Sequence, residues 1–191
     1  MVLTASRGRG ALTAAVLGSA CRRLIEAAAT PVMVVPPEAE PAFTGRSVVA
    51  GIDRHSAEPE GVAGVAAALA QLLRAQLVLS HLIPDENHSG AVARSFSNRL
   101  NRDTRAALLQ LRARLRALPD GSRAAAESRL RRGDPAVELD RLATEVSADV
   151  IVVVSGRTGR VRAARGACVA LKLARRAPHA VLVVPDPARP T

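Results

Sequence analysis

Aromatic residues are nearly missing from this chain: it has no Trp and no Tyr, and only Phe43 and Phe96 carry a phenyl ring. A surface that stacks nucleobases is hard to build without such faces. Cysteine is equally scarce. Cys21 and Cys168 lie far apart, with no CxxC pair and no Cys/His cluster near either. That spacing argues against a zinc site and against a disulfide framework, and both are expected to be small buried hydrophobes. Long apolar runs are lacking too. Runs such as Val150–Val154 and Ala180–Val184 suit a strand and not a membrane span. No basic segment followed by an apolar run and a cleavage site opens the chain, so a cytoplasmic protein is expected.

Hydrophobic residues make up 48% of the 191 positions, enough for a real core in one domain, or one domain with an appendage. The net charge of +10 raises the question of nucleic acid or an anionic surface. The detail argues against nucleic acid. Of 27 basic residues only Lys172 is lysine, and the richness in Ala, Arg, Gly and Val has the look of a coding bias. Arg112, Arg114 and Arg116, and likewise Arg129, Arg131 and Arg132, read as solvated faces.

An internal repeat organises the chain. TPVMVVPP (Thr30 to Pro37) returns as HAVLVVPDP (His179 to Pro187), and a glycine loop and a helix precede each copy. Gly8 and Gly18, separated by nine residues, correspond to Gly156 and Gly166, also separated by nine, at an offset of 148. The second copy alone has a full set of elements before it. Ser47 to Ile52 is a short apolar run ending at Asp53, a buried strand. Ser56 suits the N-cap of a helix whose Val62, Val65, Leu69, Leu72 and Leu73 share a face. Gln76 to Ile83 is a second strand, stopped by Pro84; a polar loop runs from Asp85 to about Asn101. Leu108, Leu111, Leu115 and Leu118 mark a second helix, and Ala124 to Arg131 reads as an edge strand. Gly133-Asp134-Pro135 turns into a third helix that faces the core with Leu139, Leu142 and Val146. Val150 to Val154, a glycine loop, a helix from about Ala163 to Arg176 and Val181 to Val184 complete the series.

Strands alternating with helices imply right-handed crossovers and a doubly wound parallel sheet with helices on both faces, an α/β fold. Ligands of such sheets sit beyond the carboxyl ends of the strands, where strand order reverses. Asp53 and the loop after Ser155 follow two such ends, which makes them the candidate site.

These residues resemble the universal stress proteins. The resemblance covers Arg46 to Pro185: a strand ending in Gly51-Ile52-Asp53, the Gly133-Asp134-Pro135 turn, Asp149 to Val153, the Gly156-Arg157-Thr158-Gly159 loop and the closing Val181 to Pro185. Met1 to Pro36 is similar to the last quarter of a second such domain, with Ser6-Arg7-Gly8-Arg9-Gly10 and Leu17-Gly18-Ser19 as its loop. The implied fold is a five-stranded, Rossmann-like parallel sheet of the adenine nucleotide alpha hydrolase type, preceded by a partial loop-helix-strand repeat. The implied division is a partial repeat over 1–36, a linker over 37–45, a complete domain over 46–187 and a tail over 188–191, as in a tandem protein whose first domain is truncated. A homodimer joined through the final strands is also implied, and Val32 to Val35 is expected to pair with Val181 to Val184 over a sheet edge that would otherwise be sticky.

The family's nucleotide-binding branch holds ATP with the pattern G-x2-G-x9-G-(S/T), in which glycine amides approach phosphate oxygens and a helix N-terminus adds positive charge. By resemblance the ligand contacts are Ile52 and Asp53 at the first strand end, His81 on the adenine side, Gly156 and Gly159 in the loop, and Gly166, Ala167 and Cys168 at the helix start. The match is eroded, because Val153 stands at the first glycine and Ala167 replaces the hydroxyl residue. Loss of a hydroxyl bonded to phosphate costs about 1.5–3 kcal/mol, roughly tenfold to a hundredfold in affinity. Each residue also has a plainer role. Asp53 suits a helix cap, the glycines a tight strand-to-helix connection, His81 a satisfied buried position, and Cys168 core packing. His55 and Ser56 beside Asp53 do not make a triad by adjacency.

The expected protein is therefore a regulatory module that binds ATP or another adenine nucleotide without rapid turnover. The alternative is a protein-interaction or dimerisation module of the same fold with a degenerate site. No enzyme activity, catalytic residue or metal is expected; a slow ATPase is the third class, with Asp53 its one candidate base.

Overall fold

The computed structural model describes residues 2–5, 19–36, 44–52, 59–83, 105–106, 108–118, 120–123, 126–155 and 166–185. In chain order these form β1 (Val2–Ala5), α1 (Ser19–Ala27), β2 (Val32–Val35), β3 (Ser47–Ile52), α2 (Pro59–Leu73) and β4 (Gln76–Ile83). Next come α3 (residues 105–106 and 108–117), α4 (Asp120–Arg123), β5 (Ala126–Arg132), α5 (Pro135–Glu145), β6 (Ala148–Val154), α6 (Gly166–Arg176) and β7 (Ala180–Val184). The expected bounds of β3 and β4 coincide with those observed. The polar stretch Asp85 to Asn101 and the expected cap Ser56 lie outside the described residues.

One sheet holds all the strands, in the order β1-β2-β7-β6-β3-β4-β5. It has seven strands where the resemblance implies five, because β1 and β2 of the N-terminal segment extend it. Every pairing is parallel except β2 on β7, where Val32 opposes Val183, Met33 opposes Leu182 and Val34 opposes Val181. The expected coverage of β7 by Val32 to Val35 is thus observed within a single chain.

Strand side chains alternate between faces, and both faces are buried. On one, Val49, Ile151, Val181 and Val183 pack under α1, α5 and α6 through Cys21, Ile25, Leu139, Leu142 and Leu173. On the other, Val48, Ala50, Leu79, Val150 and Val152 pack under α2 and α3. Two helices differ from the sequence expectation. In α2 the sheet is met by Val62, Ala63, Ala66, Ala67 and Ala70 while Leu72 is 79% exposed; alanines let the helix axis approach a surface already filled by Val and Leu, and bulkier residues move to its flanks. In α3, Leu111 and Leu118 are buried, but Leu108 is 40% exposed and Arg114, expected on a solvated face, is buried.

Two close contacts fix β3. A Cβ built on Gly51 would lie 2.8 Å from Leu139 Cδ1, so the missing side chain is what allows α5 to sit on the middle of the sheet. At the other end of the strand the Asp149 carboxylate accepts from Thr44 N at 2.7 Å, Thr44 Oγ1 at 2.7 Å and Arg46 N at 2.9 Å. Ser47 Oγ donates to Val146 O at 2.9 Å. Together these bonds pin the start of β3 to the start of β6.

α5 begins as its sequence implies. Asp134 is the N-cap, accepting from Ala136 N and Val137 N, and Pro135 takes the first helical position, where a missing N–H costs nothing. The same carboxylate meets Lys172 Nζ of α6 at 2.7 Å. The hydrogen bond from Lys172 lowers the Asp134 pKa most; burial, the next largest effect, opposes it, and the Val137 and Ala136 N–H groups add to the lowering, so the carboxyl lies below its ordinary range.

Asp149→Ala should destabilise the fold by about 1–2 kcal/mol, the lower range for hydrogen bonds to a solvent-accessible charge, seen as a reduced urea midpoint with unchanged slope. Gly51→Ala should cost about 1–3 kcal/mol through overpacking against Leu139, and Gly51→Ala with Leu139→Ala should recover part of it. Asp134→Asn keeps a cap but loses the ion pair, about 0.2–1 kcal/mol at this exposure. Because the folded pKa is depressed, this contribution is present at neutral pH and fades as pH falls below the ordinary value of 3.8 through the folded one; urea midpoints of wild type and variant should converge in that acid window.

Candidate functional site

From β3 the chain winds outward through β4 to β5, then crosses by α5 to the opposite flank of β3 and winds through β6 to β7. The strand order therefore reverses between β3 and β6, which run side by side with Val48 opposite Val150 and Ala50 opposite Val152. Beyond the carboxyl ends of such a pair the two crossovers diverge and leave a crevice.

Ile52 ends β3 and is 2% exposed, and His81 of β4 lies directly beside it in register, also 2% exposed. By strand alternation both belong to the face packed under α2 and α3. β6 ends at Val154, and Ser155 N donates to Val184 O at 2.7 Å, which ties that exit to the end of β7. Gly166, Ala167 and Cys168 form the first turn of α6, where backbone N–H groups have no partner within the helix. Leu173 and Ala170 bury α6 against the sheet, and Lys172 ties it to the cap of α5.

Of the eight residues predicted to contact a ligand, Ile52 at the end of β3 and His81, two residues before the end of β4, are brought together in register, and Gly166, Ala167 and Cys168 share one helical turn. Asp53, Gly156 and Gly159 lie outside the described residues. Val153, at the first glycine of the family pattern, is buried within β6 opposite Val183.

Sequence reasoning missed the Asp134–Lys172 pair and the bonds of Asp149. Asp134 before Pro135 carries a readable capping signal; its partner on another helix does not. It also missed a polar seam between α5 and the turn before β7. Thr144 Oγ1 lies 3.3 Å from His179 Nε2, and the nearby Asp140 has its pKa raised by burial and partly lowered by His179. Cys21 is free and buried, and its thiol pKa is pushed up by burial, in keeping with a packing role. Among the described residues no group of three or more His, Cys, Asp or Glu side chains could hold a metal ion. No described helix is long and apolar enough to cross a membrane.

Comparison with known proteins agrees with this geometry. Residues 45–185 match the family model described as the universal stress protein family. No curated protein matches the chain. Among solved structures, a functionally unknown protein from Pseudomonas aeruginosa PAO1 is similar at a TM-score of 0.69 and 21% identity, over 96% of this chain and 62% of its own. A putative universal stress protein from Pseudomonas aeruginosa UCBPP-PA14 is similar at 0.69 and 20% identity, with the same coverage. A universal stress protein from Lactobacillus plantarum is similar at 0.63 and 20% identity, over 75% of this chain and 99% of its own. The chain thus spans 62% of the length of the two Pseudomonas structures. With its family match, a mostly parallel sheet and a strand-order reversal between β3 and β6, the chain belongs to the universal stress protein family.

Proposed function

We propose that this protein is a regulatory module that binds an adenine nucleotide, with ATP the first candidate, and does not turn it over rapidly. The observation that carries this reading is the strand-order reversal between β3 and β6, from which a glycine-containing segment leads to the N-terminal turn of α6. In this reading phosphate is held by amides at Gly156, Gly159, Gly166, Ala167 and Cys168, as glycine loops and helix N-termini hold it elsewhere. Ile52 and His81 flank the base, and Asp53 faces the sugar or the metal side. No residue is assigned a catalytic role, and the proposed setting is the cytoplasm. Binding would act on the N-terminal turn of α6, and the Lys172–Asp134 contact would carry the change to α5.

The N-terminal β1–α1–β2 unit is proposed to be a partial repeat, as in a tandem protein with a truncated first domain. β2 then fills in cis the place that a partner's final strand would take in a homodimer. A second reading, an interaction module with a degenerate site, is favoured by Val153, whose buried side chain replaces the first glycine of the pattern.

Thermal unfolding with Mg-ATP, ADP and AMP separates the two readings. A ligand at about 100 times its dissociation constant should stabilise the fold by about 2.7 kcal/mol. A saturable rise in Tm that is abolished by Asp53→Ala and by Gly166→Val is the expected result. No shift at millimolar nucleotide would favour the interaction module, and phosphate release above a no-enzyme control would indicate a slow ATPase.

A further inference from the structure

α3 turns an unusual face to solvent. Its buried side is closed by Leu111 and Leu118, at 2% and 4% exposure, with Arg114 at 8%. The opposite side carries Arg105, Arg112 and Arg116, all exposed, at spacings of seven and four residues that place them on one stripe. Leu109 lies on the same stripe, four residues after Arg105 and three before Arg112, and is 60% exposed; Leu108, four residues before Arg112, is 40% exposed. No acidic residue occurs from Thr104 to Pro119. Among the described residues no carboxylate pairs with Arg105, Arg112 or Arg116. The apolar need of α3 is met on its inner side, so the outer leucines serve nothing within the described fold.

We propose that this stripe docks an acidic amphipathic helix of a protein partner, one that presents carboxylates to Arg105, Arg112 and Arg116 and apolar side chains to Leu108 and Leu109. The interleaving of charge and leucine is what identifies the occupant. A helix that lies on a membrane keeps its basic and apolar faces apart, and here the main apolar face is turned into the protein. A phosphate-binding surface gains nothing from leucines set among its arginines, and the chain offers few aromatic rings for bases. A second copy related by two-fold symmetry would set arginine against arginine. A partner helix with Glu and Leu on one face satisfies both residue types, in the way charged positions flanking an apolar seam select partners in paired helices. From Arg105 to Arg116 the stripe extends for about 17 Å, the length of one three-turn helix, so the contact is small and strongly dependent on salt.

The test uses the full chain and a fluorescent synthetic helical peptide with Glu and Leu on one face at spacings of three and four residues. A second peptide has the same composition, scrambled so that Glu and Leu do not share a face. Anisotropy should show the patterned peptide binding at least about tenfold tighter than the scrambled one, and weakening from roughly 50 to 300 mM NaCl. Arg112→Glu with Arg116→Glu, and separately Leu109→Ser, should each reduce affinity about tenfold or more. These side chains are exposed, so melting curves should be unchanged in both variants. Equal binding of the two peptides, indifference to Leu109→Ser, or no saturation by about 1 mM would overturn the proposal. So would tighter binding to anionic phospholipid vesicles or to duplex DNA than to the patterned peptide. Sedimentation showing an oligomer that Arg112→Glu dissolves would assign the stripe to a second copy and overturn it as well.

Discussion

The hydrogen bonding of β3 to β6 is the interaction on which the rest of the molecule depends. These strands are distant in sequence, and their pairing closes a loop of nearly a hundred residues, which delays the reward for ordering everything between them. The pairing is secured at its start by the Asp149 carboxylate bound to Thr44 and Arg46. Just beyond its last paired residue the bare Cα of Gly51 admits Leu139. Once β3 and β6 lie side by side, α5 must pass over them, and the two halves of the sheet must wind in opposite senses. In sheets wound this way ligands sit beyond the carboxyl ends of the two central strands, and loop chemistry is free to vary around that point.

A sheet buried on both faces still has two edges, and this chain treats them differently. At one end β5 carries Glu127, Arg129, Arg131 and Arg132, with Arg129 paired to Glu127 and Arg131 to Glu145; charged side chains on an edge strand discourage further pairing. On the other flank β7 is entirely apolar, and β2 covers it antiparallel while α1 adds Cys21 and Ile25 to the core beneath. The N-terminal segment is therefore part of the same hydrophobic structure as the rest. An edge-to-edge pairing at β7 would require β2 to leave, and the outer strand on that flank is β1.

The buried strands were the most legible part. Ser47 to Ile52 and Gln76 to Ile83 stood out because a short apolar run bounded by Asp53 or Pro84 suits a buried strand of a parallel sheet. The cap of α5 was legible because Asp134-Pro135 states a local preference, satisfied by backbone groups two and three residues away. Helix faces were less so. Leu72 and Leu108 fit an apolar period yet are exposed, because alanines took the close-packed position in α2 and the outer stripe of α3 faces away from the sheet. In the candidate site, Ile52 was named from the end of its strand and His81 from the family resemblance, and the two lie in register. Val153 was recognised as a departure from the pattern, but its burial within β6 depends on neighbours that the pattern does not contain.

By itself the sequence determined the alternation of strands and helices, the repeated loop-helix-strand unit and the turn into α5, since each is written in residues a few positions apart. The tertiary structure alone decided that β2 and β7 share one sheet and run antiparallel, that Lys172 reaches Asp134 and that Asp149 anchors β3. Those outcomes depend on which surfaces meet after collapse. Local propensity does not encode the pairing of groups separated by many residues; the burial of two opposite faces of one sheet does.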